Sequence, residues 1–144
     1  MAENLKESSA IQTHIDILQN VINRMASNSA NSKTWSITIV SAIIVLLIDK
    51  SKTDVFYIAY IPLFMFFFLD CFYLGLERYF RDLYNNFIES LDSDDFNSTS
   101  VYKLHGPKTL LEKVKCTVLG AWSFSTLPFY AILGLLIFII SKIS

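Results

Sequence analysis

The sequence predicts an all-α protein: an integral membrane helical bundle of three transmembrane helices plus an N-terminal amphipathic helix. Its helices are expected to extend into a small cytosolic bundle. Three observations carry this. Residues 55–74 and 119–140 are each roughly 20 residues of mostly Phe, Tyr, Leu and Ile, about the length that crosses ~30 Å of hydrocarbon. The chain as a whole is 53% hydrophobic and only 17% charged, with mean hydropathy +0.43, against roughly 25% charged in an average soluble domain. Finally, apolar residues keep recurring at helical spacing beyond the ends of these stretches.

Residues 9–26 open the pattern. Ile11, Ile15, Leu18, Ile22 and Met25 recur as a heptad seam, with Val21 beside it and Gln12, Thr13, Asp16, Gln19, Asn20 and Asn23 opposite. Ser8 or Ser9 can cap its start. Two heptads do not make a free-standing coiled coil, so the helix needs a partner surface. The polar face lacks the Lys and Arg of helices that lie flat on membranes, which favours packing against protein. Residues 1–32 are accordingly read as a cytosolic N-terminal segment and 33–144 as the transmembrane bundle, with 76–118 its cytosolic helical extension.

Lys33, Thr34 and Trp35 mark a membrane interface, since Trp favours the headgroup level and Lys snorkels toward it. The apolar run 35–48 covers only ~21 Å at 1.5 Å per residue, short for a span. Residues 29–34 are therefore expected to enter the membrane with their polar atoms facing protein or water. Ser29, Ser32 and Ser36 share a face, and Thr38 and Ser41 follow. Such a stripe allows close helix packing or lines a hydrated path, and both readings stand at this point.

The charged connection 49–54 returns the chain for a second span. Pro62 is expected to kink it. Leu76, Phe80, Leu83, Phe87 and Leu91 then continue the helical spacing, giving one helix of about 37 residues, ~55 Å long. Residues 92–106 read as a solvated acidic turn ending in Gly106-Pro107; Asn97-Ser98-Thr99 fits a glycosylation acceptor but is placed in the cytosol. Pro107 is expected to open the last helix. Leu110, Leu111, Val114, Thr117 and Val118 share one face; the helix becomes wholly apolar from Leu119, with Trp122 at an interface and Pro128 bending it within the bilayer.

Nine Lys and Arg flank one side of the spans (Lys6, Arg24, Lys33, Arg78, Arg81, Lys103, Lys108, Lys113 and Lys115), and three (Lys50, Lys52 and Lys142) the other. The positive-inside tendency places the N-terminus in the cytoplasm and the C-terminus outside, in a multi-pass membrane protein. No signal-peptide pattern precedes the first span, so the chain is expected to keep its N-terminus. The apolar stripes of the three extensions call for burial, and a homo-oligomer about an axis normal to the membrane would supply it.

Little in the chain points to catalysis or metal binding. His14 and His105 lack partners at ligand spacing, and four glycines form no phosphate-binding loop. Cys71 and Cys116 read as buried free thiols, with a disulfide or metal pair as the alternative. A net charge of −1 does not favour direct nucleic-acid binding. The reading is a non-enzyme without cofactors, with the lipid bilayer as its first partner. Asp70 is the outstanding residue: an intramembrane carboxylate is costly unless paired, and Lys33 or Arg24 of the neighbouring helix is the expected partner. Asp70, Ser29, Ser32, Ser36, Thr38 and Ser41 are the candidate pore or intramembrane polar residues, with Ser123, Ser125 and Thr126 secondary. Ile11, Ile15, Leu18, Ile22, Met25, Leu76, Phe80, Leu83 and Phe87 form the candidate partner or oligomer face.

Residues 24–29 (Arg-Met-Ala-Ser-Asn-Ser) and 33–38 (Lys-Thr-Trp-Ser-Ile-Thr), with Leu76-Glu77-Arg78, Trp122-Ser123-Phe124 and Pro128-Phe129-Tyr130, carry a resemblance. The chain resembles a family of small, mostly uncharacterised bacterial multi-span membrane proteins, over most of its length. By looser analogy it is similar to membrane effectors of anti-phage defence systems. The resemblance implies an oligomer that permeabilises the inner membrane when released by a soluble sensor encoded nearby. The alternative is a non-catalytic membrane anchor or adaptor that docks a soluble partner through its cytosolic helices.

Overall fold

The structure, a computed structural model, describes residues 9–49, 53–91, 106–107 and 109–143. Its described elements are all helical: α1 (Ser9–Asp49), a 3-10 segment (Thr53–Ala59), α2 (Tyr60–Leu91), α3 (Leu110–Ala121) and α4 (Thr126–Ile143). Three helical stretches, Ser9–Asp49, Val55–Leu91 and Thr126–Ile143, are long and apolar enough to cross a membrane.

The first correction concerns α1. The expected boundary at residues 32 and 33 falls inside one uninterrupted helix of 41 residues, about 60 Å long. Residues 27–32 contain no Gly or Pro to end it. The hydroxyls of Ser32, Thr34 and Thr38 bond back to the carbonyls of Asn28, Ala30 and Thr34, so they do not compete for the helix's own amides. The segments expected as an amphipathic helix and a first span are thus one rod. A single buried stripe runs along it: Ile11, His14, Leu18, Met25, Ser29, Ser32, Ser36, Val40 and Ile44.

α2 packs antiparallel along this stripe over nearly its whole length. Ile11 meets Phe87, Leu18 and Met25 cluster with Phe80, and Val40 and Ile44 cluster with Phe56, Ala59 and Leu63. His14 packs its ring tilted against Phe87, centroids 4.5 Å apart. The constant register makes a long two-helix hairpin. Its heptad-like seam changes from apolar, through a serine-rich middle, to apolar again.

Pro128 opens its helix, and Pro62 follows the change from 3-10 to α geometry within the stretch Val55–Leu91. Pro62 and Pro128 each occupy the third position of their helix, α2 and α4, where the missing N–H has no intrahelical acceptor to lose. A proline clashes with the carbonyl four residues back, and in both cases the irregular backbone lies there: the 3-10 segment before α2 and the break at residues 122–125 before α4. That break corrects the reading of one last helix. α3 ends at Ala121, the apolar span starts at Thr126, and the Ser123 carbonyl accepts from the amides of Thr126 and Leu127 across the corner. At its other end α3 starts after Thr109, not at Pro107. Thr109 caps the Glu112 amide while the Glu112 carboxylate reaches back to the Thr109 amide, a reciprocal capping box.

α4 runs antiparallel to α2. Tyr130 donates to the Phe66 carbonyl at 3.1 Å, and Tyr60 donates to the Gly134 carbonyl at 3.1 Å. Val40, Ile44, Phe56, Leu63, Tyr130, Leu133 and Ile137 join the three spans in one apolar core. The expected acidic turn lies, save Gly106, outside the described residues, as do Ser8 and positions 50–52 of the connection between the first two spans.

Candidate functional site: a buried ion pair in the helical hairpin

Where the hairpin's serine-rich middle meets α2, Asp70 is fully buried. Two α1 side chains one turn apart clamp its carboxylate. Ser29 Oγ donates to Oδ1 at 2.5 Å, and Lys33 Nζ lies 2.6 Å from Oδ2. Lys33 also donates to Ser29 Oγ at 3.4 Å, closing the triangle. Of the two partners expected from the sequence, Lys33 takes the role and Arg24 is exposed. The i, i+4 spacing on a continuous helix presents both groups to one carboxylate. The unbroken α1 is what builds the site. The acid is neutralised in place, which is the condition for a carboxylate to persist in low dielectric.

Around this clamp lies a seam of small buried polar side chains. Ser32 is buried with its hydroxyl bonded back to Asn28. Ser36 of α1 and Thr126 of α4 are fully buried, and their hydroxyls lack a hydrogen-bond partner. Ser123 is buried and accepts from the Ser125 amide at 3.4 Å. The structure thus brings Ser29, Ser32, Ser36 and Asp70 together along one interface. Thr38 and Ser41 are exposed on the other side of α1 and take no part in it. Within the chain this seam is closed by α2.

The expected partner or oligomer face is used inside the chain. Ile11, Leu18 and Met25 are buried against Phe80 and Phe87, while Ile15, Ile22, Leu76 and Leu83 pack as partly buried neighbours. α3 departs from expectation in the opposite sense. Its stripe of Leu111, Val114 and Val118 is exposed, with Trp122 following it 84% exposed. It joins α2 through a different face. A Cβ built on Gly75 would lie 2.1 Å from the Cys116 carbonyl oxygen, and one on Gly120 would lie 2.1 Å from that of Cys71. Each helix carries Cys-x-x-x-Gly (residues 71–75 and 116–120), and the antiparallel crossing seats each glycine on the other helix's cysteine backbone. The repeated motif was the sequence signal for this contact. Arg78 fastens the same joint by donating to the Leu119 carbonyl, 2.7 Å away, near the C-terminal end of α3.

Both cysteines are free; Cys71 is buried and Cys116 half-buried. Burial pushes the Cys116 thiol up from its ordinary value, and the Glu112 carboxylate on the same helix adds to this. Among the described residues no group of three or more His, Cys, Asp or Glu is placed to hold a metal ion. Compared with family models, curated proteins and solved structures, the chain matches none.

Proposed function

We propose that this protein is an oligomeric membrane effector that forms or gates a permeation path, with the Ser29–Lys33–Asp70 clamp as the latch that keeps it shut. The carrying observation is the fully buried carboxylate held at both oxygens by one neighbouring helix. A carboxylate and an ammonium at the end of a membrane span are expensive to retain for packing alone. Placed between α1 and α2, they hold closed the interface that carries the buried serines. Separation of α1 from α2 would expose Ser29, Ser32, Ser36 and Asp70 together as a polar wall. The proposed setting is a bacterial inner membrane with the N-terminus in the cytoplasm, and an anti-phage role is proposed from the sequence resemblance. An adaptor working through the Ile11–Met25 face receives less support, because that face is already buried by α2.

Expression in bacteria with a potential-sensitive dye tests the reading. Asp70→Asn and Lys33→Gln are expected to depolarise cells at expression levels where the wild-type chain leaves the potential intact. Potential unchanged by either variant, at matched membrane abundance, overturns it.

A further inference from the structure

We infer that Ser29, Asp70 and Thr126, one oxygen-bearing side chain from each of α1, α2 and α4, form a binding site for a monovalent alkali cation, and that the Lys33 ammonium is its tethered occupant. The inference rests on the proposed permeation path and names the ion that the path would pass.

The three side chains share one level of the bundle. Ser29 Oγ donates to the Asp70 carboxylate, which sets α1 against α2. α4 is set against α2 by the Tyr130 hydroxyl on the Phe66 carbonyl and, farther along, by the Tyr60 hydroxyl on the Gly134 carbonyl. Thr126 lies one turn from Tyr130 toward the start of α4, and Asp70 lies one turn from Phe66 toward the end of α2. The helices run antiparallel, so both steps lead the same way and bring Thr126 to the level of Asp70. All three residues are buried, Asp70 and Thr126 completely. The Thr126 hydroxyl has no hydrogen-bond partner among the described residues, and Oδ2 of Asp70 has none beyond the Lys33 ammonium. A hydroxyl buried without a partner is costly, and a valine of nearly the same shape would pack there without that cost. A cation held at Asp70 accounts for it.

The identity of the ion follows from the oxygens and from the charge. Carboxylate and hydroxyl oxygens suit hard cations, and a single carboxylate offsets a single positive charge. A divalent ion would leave one charge uncompensated in low dielectric, which excludes it. A cationic group already occupies the position: Lys33 Nζ stands 2.6 Å from Asp70 Oδ2 and 3.4 Å from Ser29 Oγ. Tethered to α1, it leaves the Thr126 hydroxyl of α4 unused. The two members of the ion pair differ in access, since the Lys33 side chain is 18% exposed and that of Asp70 not at all. Lys33 is thus the one that can withdraw, its long stem carrying the ammonium toward the headgroups. A sodium or potassium ion entering as the ammonium leaves keeps the carboxylate neutralised, and Thr126 adds an oxygen to its shell. Anions would instead meet the bare carboxylate and be repelled. Ser36, whose hydroxyl is also partnerless, lies two turns of α1 from Ser29 and is outside this site.

The test measures cation binding and ion flux on the full-length chain. Lys33→Gln removes the tethered ammonium. Its unfolding midpoint in detergent is expected to stand about 3 °C or more higher in sodium or potassium chloride than in N-methylglucamine chloride at equal ionic strength. Wild type, whose ammonium holds the site, and Lys33→Gln/Asp70→Asn are expected to show no such rise. Adding Thr126→Val to Lys33→Gln is expected to remove most of it, and adding Thr126→Ser to keep it. In proteoliposomes Lys33→Gln is expected to pass potassium at least about tenfold faster than chloride, and Asp70→Asn to lose that preference. A midpoint indifferent to the cation, or a rise that Thr126→Val leaves intact, overturns the inference; faster but unselective flux in Lys33→Gln then leaves the permeation path standing. A cation-specific rise with no flux from any variant supports the site and refutes the path. If Lys33→Gln fails to fold in every salt, Ser29→Cys/Thr126→Cys with Lys33 retained decides. Cadmium chloride is expected to raise the midpoint of that double variant beyond its effect on either single one, and no difference among them overturns the inference.

Discussion

At Asp70 the energetic asymmetry of a buried ion pair becomes a measurable quantity. Lys33→Met leaves a buried carboxylate with only Ser29 to answer it, and is expected to cost about 3–5 kcal/mol in detergent unfolding. The double variant Lys33→Met/Asp70→Leu is expected to recover most of that loss, because an apolar pair of similar volume needs no compensation. Loss of equal size in both would mean the charges do not act as a pair. Ser36 gives the opposite sign: its hydroxyl is fully buried without a partner, so Ser36→Ala is expected to be neutral or stabilising by about 1 kcal/mol. Cys116 offers a kinetic reading at this scale. With its thiol raised by burial and Glu112, its alkylation at pH 8 should be slower than that of a free thiol, and should keep accelerating at higher pH. The sequence exposed Asp70 and the choice between Lys33 and Arg24, because an isolated acid in an apolar run is conspicuous. The orphan state of Ser36 and Thr126 was not legible, since it depends on what packs opposite them.

The helices α2 and α3 meet so closely that backbone contacts backbone. Any side chain at Gly75 or Gly120 must force them apart, because the built Cβ would stand 2.1 Å from a carbonyl oxygen. Gly75→Ala is expected to destabilise by about 1–3 kcal/mol and to make Cys116 alkylate faster as the joint opens. Unchanged Cys116 reactivity and stability would show that the crossing is not tight. The element boundaries teach a related lesson. Span two was recognisable with its bounds, Val55–Leu91, from length and apolarity, whereas the start of span three was misplaced, because Pro128 was read as a bend and not as a first-turn residue. The capping box at Thr109 and Glu112 was present in the sequence as Thr-x-x-Glu, and the proline at 107 drew attention from it. The small polar stretch 27–32 was read as the end of a separate N-terminal segment. It proved to be helix interior, because small residues there let α2 approach and carry the clamp.

Considered whole, the chain is a long antiparallel hairpin with a third, broken helix folded against α2, and its chemistry is concentrated where the three meet near Asp70. The all-helical architecture and three candidate spans follow from periodicity and hydropathy, which are local properties. The pairing of α1 with α2, and hence the occupation of the Ile11–Met25 face, is a tertiary fact that no single helix announces. On the proposed function, the Ser29–Lys33–Asp70 clamp keeps a polar interface closed against ion flow. Ion flux from proteoliposomes, compared across Asp70→Asn and the exchanged pair Lys33→Asp/Asp70→Lys, addresses it directly. Asp70→Asn is expected to give at least about tenfold faster flux than wild type, with the exchanged pair returning toward wild type. Equal flux from all three, at equal protein incorporation, would contradict it.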